Sequence, residues 1–216
     1  MKVNQVVILA GGLGTRLGKI TKKIPKPMIR INKKPFIEHL IKNFSRYGIK
    51  KVLILTSYKS KIFFKNYNNK KLFNVMVTCH NEDDLKGTGG ALLDAKKKIE
   101  KYFYLCNGDT FFDVNYLNFI NSLNKKNLIS VGICRVKNKT RFSGIAIHKD
   151  KISKFDATNS NYVNAGYYLV NKKIFSILKS NIKKFSFENY LIPKIISKKK
   201  ATFTLFDKSN FLDIGV

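Results

Sequence analysis

Gln5-Val6-Val7-Ile8-Leu9-Ala10-Gly11-Gly12-Leu13-Gly14-Thr15-Arg16-Leu17 carries the architecture in outline. The aliphatic run Gln5–Ala10 stops abruptly at glycines. Such a run, bounded by a turn signal, predicts a strand buried inside a sheet. The glycines allow close approach of the backbone to a ligand, and consecutive amides there form an anion nest. Two familiar phosphate loops do not fit. A dinucleotide fingerprint needs glycine or alanine where Leu17 stands, and a P-loop needs glycine at Leu13 and Ser or Thr at Ile20.

Outward from this strand, apolar runs alternate with helical patterns. Phe36, Leu40 and Phe44 recur at four-residue spacing between Pro35 and Tyr47, with Ile37 and Ile41 beside them, and Gly48 follows. This predicts a helix with proline in its first turn and glycine at its stop. Lys51–Thr56, Leu72–His80 and Tyr102–Cys106 read as strands. The polar stretch before Leu72 reads as a loop, and Gly89 to Ile99 as a helix. That rhythm implies right-handed crossovers and a mostly parallel sheet. The second half is richer in strands: Leu128–Val136, Gly144–His148, Lys151–Phe155 and Tyr162–Val170, with short helices at Lys172–Leu178 and Phe187–Ile196. The expected fold is α/β and Rossmann-like, a mostly parallel mixed sheet flanked by helices. It forms one domain over 1–216, with halves 1–125 and 126–216.

Composition narrows the function. The chain has 216 residues, 44% of them hydrophobic, enough for one sizeable core. No apolar run approaches the roughly 20 residues that span a bilayer, and Val6 to Ala10 is too short for a signal-peptide core. The chain reads as soluble and cytoplasmic, without a membrane partner. Cys79, Cys106 and Cys134, and His39, His80 and His148, are scattered without metal-ligand spacing, so the cysteines read as buried thiols. The net charge of +29 comes almost wholly from lysine; Arg16, Arg30, Arg46, Arg135 and Arg141 are the only arginines. Lysines are spread along the chain, and arginine is the residue suited to bidentate phosphate and base recognition. The charge therefore argues for anionic small substrates and not for nucleic acid. Clusters such as Lys198–Lys200 read as solvated faces.

The second chemical signal is Pro25-Lys26-Pro27-Met28. Two prolines restrict the backbone around one lysine and present its charge at a fixed place. With Arg16, Lys26 places two cations around one glycine loop, an arrangement suited to a triphosphate. Asp109 follows an apolar strand and a glycine, so its carboxylate emerges at the carboxyl edge of the sheet, where open α/β sheets bind ligands. Asp213 also follows an apolar stretch. Two carboxylates, with phosphates and water completing the shell, suit Mg²⁺. Asp113 is a less favoured candidate for the metal, which a helix-starting aspartate explains equally well.

Gly-x-Gly-Thr-Arg followed by Pro-Lys-Pro resembles the signature of the sugar-1-phosphate nucleotidyltransferases. Gly87-Thr88-Gly89-Gly90-Ala91, Asn107-Gly108-Asp109, Asn164-Ala165-Gly166 and Asp213-Ile214-Gly215 resemble four further family motifs in the same order. The resemblance extends to the branch acting on D-glycero-D-manno-heptose 1-phosphate, through Asn107–Asp113, Gly87–Gly90 and Phe185–Glu188. It implies a nucleotide-diphospho-sugar transferase fold, with a nucleotide-binding first half and a sugar-phosphate-binding second half.

The resemblance also implies roles. Ala10, Gly11, Gly12, Gly14, Thr15, Arg16, Glu82, Gly87 and Thr88 would bind the nucleotide, Glu82 facing the base. Asn107, Gly108, Arg141, Gly144, Asn164, Gly166 and Glu188 would bind the sugar phosphate. Asp109 and Asp213 would hold Mg²⁺, with Arg16, Lys26 and Asp109 catalytic. The implied reaction joins GTP to a heptose 1-phosphate, releases pyrophosphate and serves lipopolysaccharide or capsule synthesis. The residues leave open a mannose-1-phosphate guanylyltransferase, a cytidylyl, thymidylyl or uridylyl enzyme, a non-catalytic basic module, and a homo-oligomeric state. One stretch departs from the pattern. Where many relatives carry Glu-Lys to hold the sugar and its phosphate, this chain reads Phe155-Asp156-Ala157-Thr158, leaving Asp156 and Lys154 as substitutes.

Overall fold

In the computed structural model, Gln5–Leu9 (β1) sits at the centre of an eight-stranded sheet. The structure describes residues 1–14, 18–82, 84–124, 126–135, 144–149, 151–155, 157, 160–206 and 210–214; the side chains of Lys19, Ile20, Asn210 and Phe211 are not described. After β1 come the helix Lys19–Lys23 (α1), a 3₁₀ turn at Lys26–Met28, and a small ribbon of Arg30–Ile31 (β2) and Lys34–Pro35 (β3). Next are Phe36–Ser45 (α2), Lys51–Thr56 (β4), Ser60–Tyr67 (α3), Lys70–Leu72 (β5) and Val75–Asn81 (β6). Gly87–Asp94 (α4) leads to Tyr102–Asn107 (β7), Thr110–Asp113 (β8) and Asn118–Ser122 (α5). The second half adds Ile129–Arg135 (β9), Ile145–His148 (β10), Lys151–Phe155 (β11) and Tyr162–Asn171 (β12). Ile192–Ser197 (α6), Ala201–Phe206 (β13) and Asn210–Asp213 (β14) follow.

The sheet order is β13-β9-β12-β7-β1-β4-β6-β5. β7, β1, β4 and β6 run parallel, and β12 inserts antiparallel between β7 and β9. The chain moves outward from β1 to β4 and β6, then returns to the other side of β1 as β7. The crevice beyond the carboxyl ends of β1 and β7 is thus a topological switch point, the usual ligand position in open α/β sheets. Strand alternation divides the core between the two faces. Val6 and Ile8 join Phe36, Leu40, Phe44 and Phe63 on one face. Val7 joins Leu92, Phe103, Leu105, Phe187 and Ile192 on the other. Phe44 stacks on Tyr116 with ring centroids 4.5 Å apart. Cys79, Cys106 and Cys134 are buried free thiols, and burial pushes Cys79 and Cys134 up to about 11.

Three expectations are corrected. The polar stretch before Leu72 is not a loop: it holds α3, which buries Phe63 and Tyr67, and the hairpin strand β5, while the central strand starts only at Val75. Lys59, at φ 52°, caps α3 without a side-chain hydrogen bond, so the usual start signal is missing. Asp113 starts no helix; it ends β8, pairs with Asn210 of β14 and lies 3.8 Å from Arg46. β13, which no pattern announced, forms a parallel edge beside β9. Among the described residues, no helix is long and apolar enough to cross a membrane.

Candidate active site

The loop after β1 is shaped by contacts a larger residue would break. Gly14 has φ +65°, and a Cβ there would lie 2.9 Å from Thr21 Cγ2. The Thr21 hydroxyl donates to the Gly14 carbonyl at 2.9 Å, tying the loop to α1. The Ala10 N–H donates to the Leu55 carbonyl at 2.8 Å, so the loop leaves the sheet from a fixed point. On the other side of the switch point, the Gly108 N–H donates to the Leu9 carbonyl at 2.9 Å. A Cβ on Gly108 would meet that carbonyl at 2.8 Å and Pro27 at 3.0 Å, so glycine lets the end of β7 close against the Pro-Lys-Pro turn.

That turn aims Lys26 inward. Pro25, at φ −62°, enters the 3₁₀ turn, and the Met28 N–H closes it on the Pro25 carbonyl at 2.8 Å. Lys26 is only 7% exposed. Its Nζ lies 2.5 Å from Asp109 Oδ2 and 4.0 Å from Asp213 Oδ1. Asp213 arrives through the β8–β14 hairpin, where it pairs with Thr110, and the Ile214 N–H donates to the Asp109 carbonyl at 3.0 Å. Residues remote in sequence thus converge on one point, within reach of a single small cation. Among the described residues no cluster of three or more His, Cys, Asp or Glu side chains is placed to hold a metal. Two hard carboxylates alone suit Mg²⁺, which commonly takes one or two protein oxygens and fills its shell with water and phosphate.

A cleft of about 390 Å³ opens at this edge. Ala10, Gly11, Gly12, Gly14, Lys26, Glu82, Gly87, Thr88, Asn107, Asp109 and Glu188 all line it, together with Pro27, Leu9, Leu55, Leu85 and Ala91. Glu82, buried at the end of β6, places Oε1 3.3 Å from where a Gly11 Cβ would stand, so glycine makes room for the carboxylate. Glu82 Oε2 accepts the Lys86 N–H at 3.2 Å. Burial pushes the Glu82 carboxyl above its ordinary range, and the Lys86 N–H and ammonium offset part of that rise.

A family model described as nucleotidyl transferase matches residues 5–216. The chain belongs to that family. It is 35% identical to a D-glycero-alpha-D-manno-heptose 1-phosphate guanylyltransferase of Campylobacter jejuni, over 98% of this chain and 95% of the relative. It is 29% identical to the enzyme of the same name from Aneurinibacillus thermoaerophilus, over 98% and 93%. Among solved structures, HddC from Yersinia pseudotuberculosis complexed with GMP-PN superposes with a TM-score of 0.84 at 32% identity, covering 99% of this chain and 95% of that one.

Within this nucleotidyltransferase, the start of α4 and the turn carrying Glu188 are laced together. The Phe185 N–H donates to the Lys86 carbonyl at 2.9 Å, and the Gly89 N–H to the Phe185 carbonyl at 3.0 Å. The Thr88 hydroxyl accepts the Phe187 N–H at 2.9 Å. A Cβ on Gly89 would strike the Phe185 ring, which explains this glycine as a packing requirement.

The remaining expected residues separate. Thr15, Arg16, Arg141 and Asp156 lie outside the described residues. Gly108 and Gly166 serve close packing, Gly166 at φ +69° against Asn107. Gly144 does not line the cleft; it bridges to Val163, and a Cβ there would strike the Ala157 carbonyl. Lys154 lies exposed on β11. Asn164 does not line the cleft either. Its amide nitrogen donates to Tyr168 Oη at 2.7 Å and to Glu188 Oε1 at 3.0 Å, and its oxygen accepts the Gly166 N–H at 3.0 Å. The sequence reading missed Tyr168, which donates to Glu188 Oε1 at 2.5 Å. Its position four residues after Asn164 was the available signal.

Proposed function

We propose that this nucleotidyltransferase moves a guanylyl group from GTP to D-glycero-α-D-manno-heptose 1-phosphate, supplying an activated heptose for surface-glycan synthesis. One observation carries the reading: at the β1/β7 switch point, the glycine loop, Lys26 and the carboxylate of Asp109 line one cleft with a buried Glu82, and Asp213 stands 4.0 Å from the Lys26 ammonium. Support for guanine and heptose comes from the 35% identity, over 98% of the chain, to an enzyme named for that reaction.

An oxygen of the sugar 1-phosphate attacks the α-phosphorus of GTP. The bond to the bridging oxygen breaks, and pyrophosphate leaves with the electron pair. The attacking phosphate is already anionic, so no protein nucleophile or base is required. The protein's work is placement and charge neutralisation. The loop amides of Gly11, Gly12 and Gly14 receive the phosphates. Lys26 and Arg16 offset charge on the transferred and leaving groups. Glu82 accepts from the ring N–H and amino group of guanine, and Glu188 accepts from sugar hydroxyls. Asp109 and Asp213 would hold Mg²⁺, which would supply positive charge against the reacting phosphates.

The test pairs two measurements. Thermal shift with each of the four nucleoside triphosphates and Mg²⁺ is expected to show stabilisation by GTP. Pyrophosphate release is expected with GTP and heptose 1-phosphate. Selective stabilisation by CTP, or release only with another triphosphate, overturns the guanylyl assignment.

A further inference from the structure

At the cleft, a buried tyrosine meets the carboxylate of Glu188, one of the lining residues. Tyr168 is 1% exposed and lies on β12, paired to Leu105 of β7 and Val131 of β9 in the middle of the sheet. Glu188, by contrast, sits on an irregular π-helical turn, Phe187–Leu191. Such turns are uncommon and often mark functional positions. The Phe187 ring stands edge-on to Tyr168 with centroids 5.1 Å apart, so the turn is docked on the strand that carries the phenol.

Both hydrogen bonds to Glu188 arrive at one oxygen. Tyr168 Oη donates to Oε1 at 2.5 Å, and Asn164 Nδ2 donates to the same Oε1 at 3.0 Å. Among the described residues, Glu188 Oε2 has no hydrogen-bond partner, although Glu188 lines the cleft. Burial, with the Glu188 charge adding to it, pushes the Tyr168 hydroxyl well above its ordinary range, so the proton stays on Oη as the donor. A carboxylate with one oxygen saturated by two fixed donors has little freedom left in its terminal torsion.

We propose that Tyr168 is the positioning residue for the sugar: its phenol fixes Glu188 Oε1 and thereby presents Oε2 to the acceptor's hydroxyls. This rests on the guanylyltransferase reading above and names the residue that acts through Glu188. Tyr168 itself touches no substrate. The function concerns acceptor binding, so its loss raises the KM for the sugar phosphate and leaves nucleotide binding alone.

The experiment is a double-mutant cycle in pyrophosphate release, with wild type, Y168F, E188Q and Y168F/E188Q. Y168F is expected to raise the KM for heptose 1-phosphate about tenfold, while kcat stays within about threefold and the KM for GTP within about twofold. In the E188Q background the same change is expected to add nothing. An unchanged KM for the sugar phosphate, an equal rise in both KM values, or additive effects in the cycle each overturn the proposal. Should Y168F fail to fold, 3-fluorotyrosine placed at position 168 keeps the ring and the hydroxyl while altering its acidity. A shift in the sugar-phosphate KM alone supports the proposal, and no shift overturns it. A wild type silent with GTP and every sugar 1-phosphate removes the parent reading and this one together; an active wild type with an unresponsive position 168 removes only this one.

Discussion

The ammonium of Lys26 lies 2.5 Å from Asp109 Oδ2, in the switch-point crevice, and 4.0 Å from Asp213 Oδ1. In the free protein this lysine is the counter-charge for two carboxylates. Replacing it with methionine removes that counter-charge from between them. Breaking a fully buried pair costs about 3–5 kcal/mol. The Asp109 side chain is 29% exposed, so roughly 2 kcal/mol is expected here. For a chain of this size that lowers Tm by about 4–8 °C. Millimolar Mg²⁺ is expected to restore much of the loss in K26M and to stabilise wild type less. Thermal melts with EDTA and with Mg²⁺ check this; a K26M melt insensitive to Mg²⁺ counts against a shared cation site.

Arg16 follows the left-handed Gly14 by two residues, and only the glycine is among the described residues. If its guanidinium meets the triphosphate, R16A loses a preorganised cation. Such losses cost about 3–4 kcal/mol, or roughly 10²–10³ in kcat. The circular dichroism spectrum and Tm are expected to stay near wild type. Activity within threefold of wild type takes Arg16 out of the chemistry.

Glu82 combines burial with a position against Gly11, and its carboxyl is pushed up by that burial. Two hydrogen bonds from guanine to a charged acceptor would repay the desolvation only when nucleotide is bound. E82Q is therefore expected to lower kcat/KM for GTP by about 1.5–3 kcal/mol, roughly 10–100-fold. It is also expected to raise the Tm of the ligand-free protein, because a buried charge is removed. A lower ligand-free Tm with unchanged GTP kinetics reverses the assignment.

The legible parts of this molecule are those written in local pattern. β1 and its glycine loop, β4, β11 and the Phe36–Phe44 face of α2 all follow from hydrophobic period and turn residues in single windows. Asp109 was placed at the end of β7 by the same logic. The missed parts depend on pairing between distant residues or on starts that lack a signal. α3 opens on Lys59 in the left-handed region, without the Ser, Thr, Asp or Asn that announces a helix. β8 is four residues long and exists because β14 pairs with it; no window around Thr110 contains Asn210. The Tyr168–Glu188 hydrogen bond joins a strand to a turn, and the sequence shows only an aromatic residue in an apolar run.

Asp94 holds Lys86, just before α4, from outside the cleft. It ends α4, where a negative charge opposes the helix dipole, yet a lysine and a histidine hold it there. Its Oδ1 lies 2.6 Å from Lys86 Nζ, and its Oδ2 lies 2.8 Å from His80 Nε2. The Lys86 ammonium, followed by His80, holds the Asp94 carboxyl below its ordinary range. A lowered carboxyl contributes stability that is fully present above the ordinary carboxylate pKa and fades as pH falls through its own lower value. Glu82, four residues before Lys86, is shifted the opposite way. Its ionised form is a cost in the folded state, lifted as pH falls through its raised pKa. D94N is therefore expected to melt about 2–4 °C below wild type at neutral pH, from about 1 kcal/mol for two partly exposed pairs. E82Q is expected to melt above wild type at the same pH. Both differences are expected to shrink toward acid, D94N from below and E82Q from above. Melts from about pH 8 down to about pH 3 test the two signs in one series, the E82Q gap closing first and the D94N gap only below the ordinary carboxylate range of about 4. Gaps of the same sign, or a D94N gap that widens in acid, contradict the arrangement of charges around this loop.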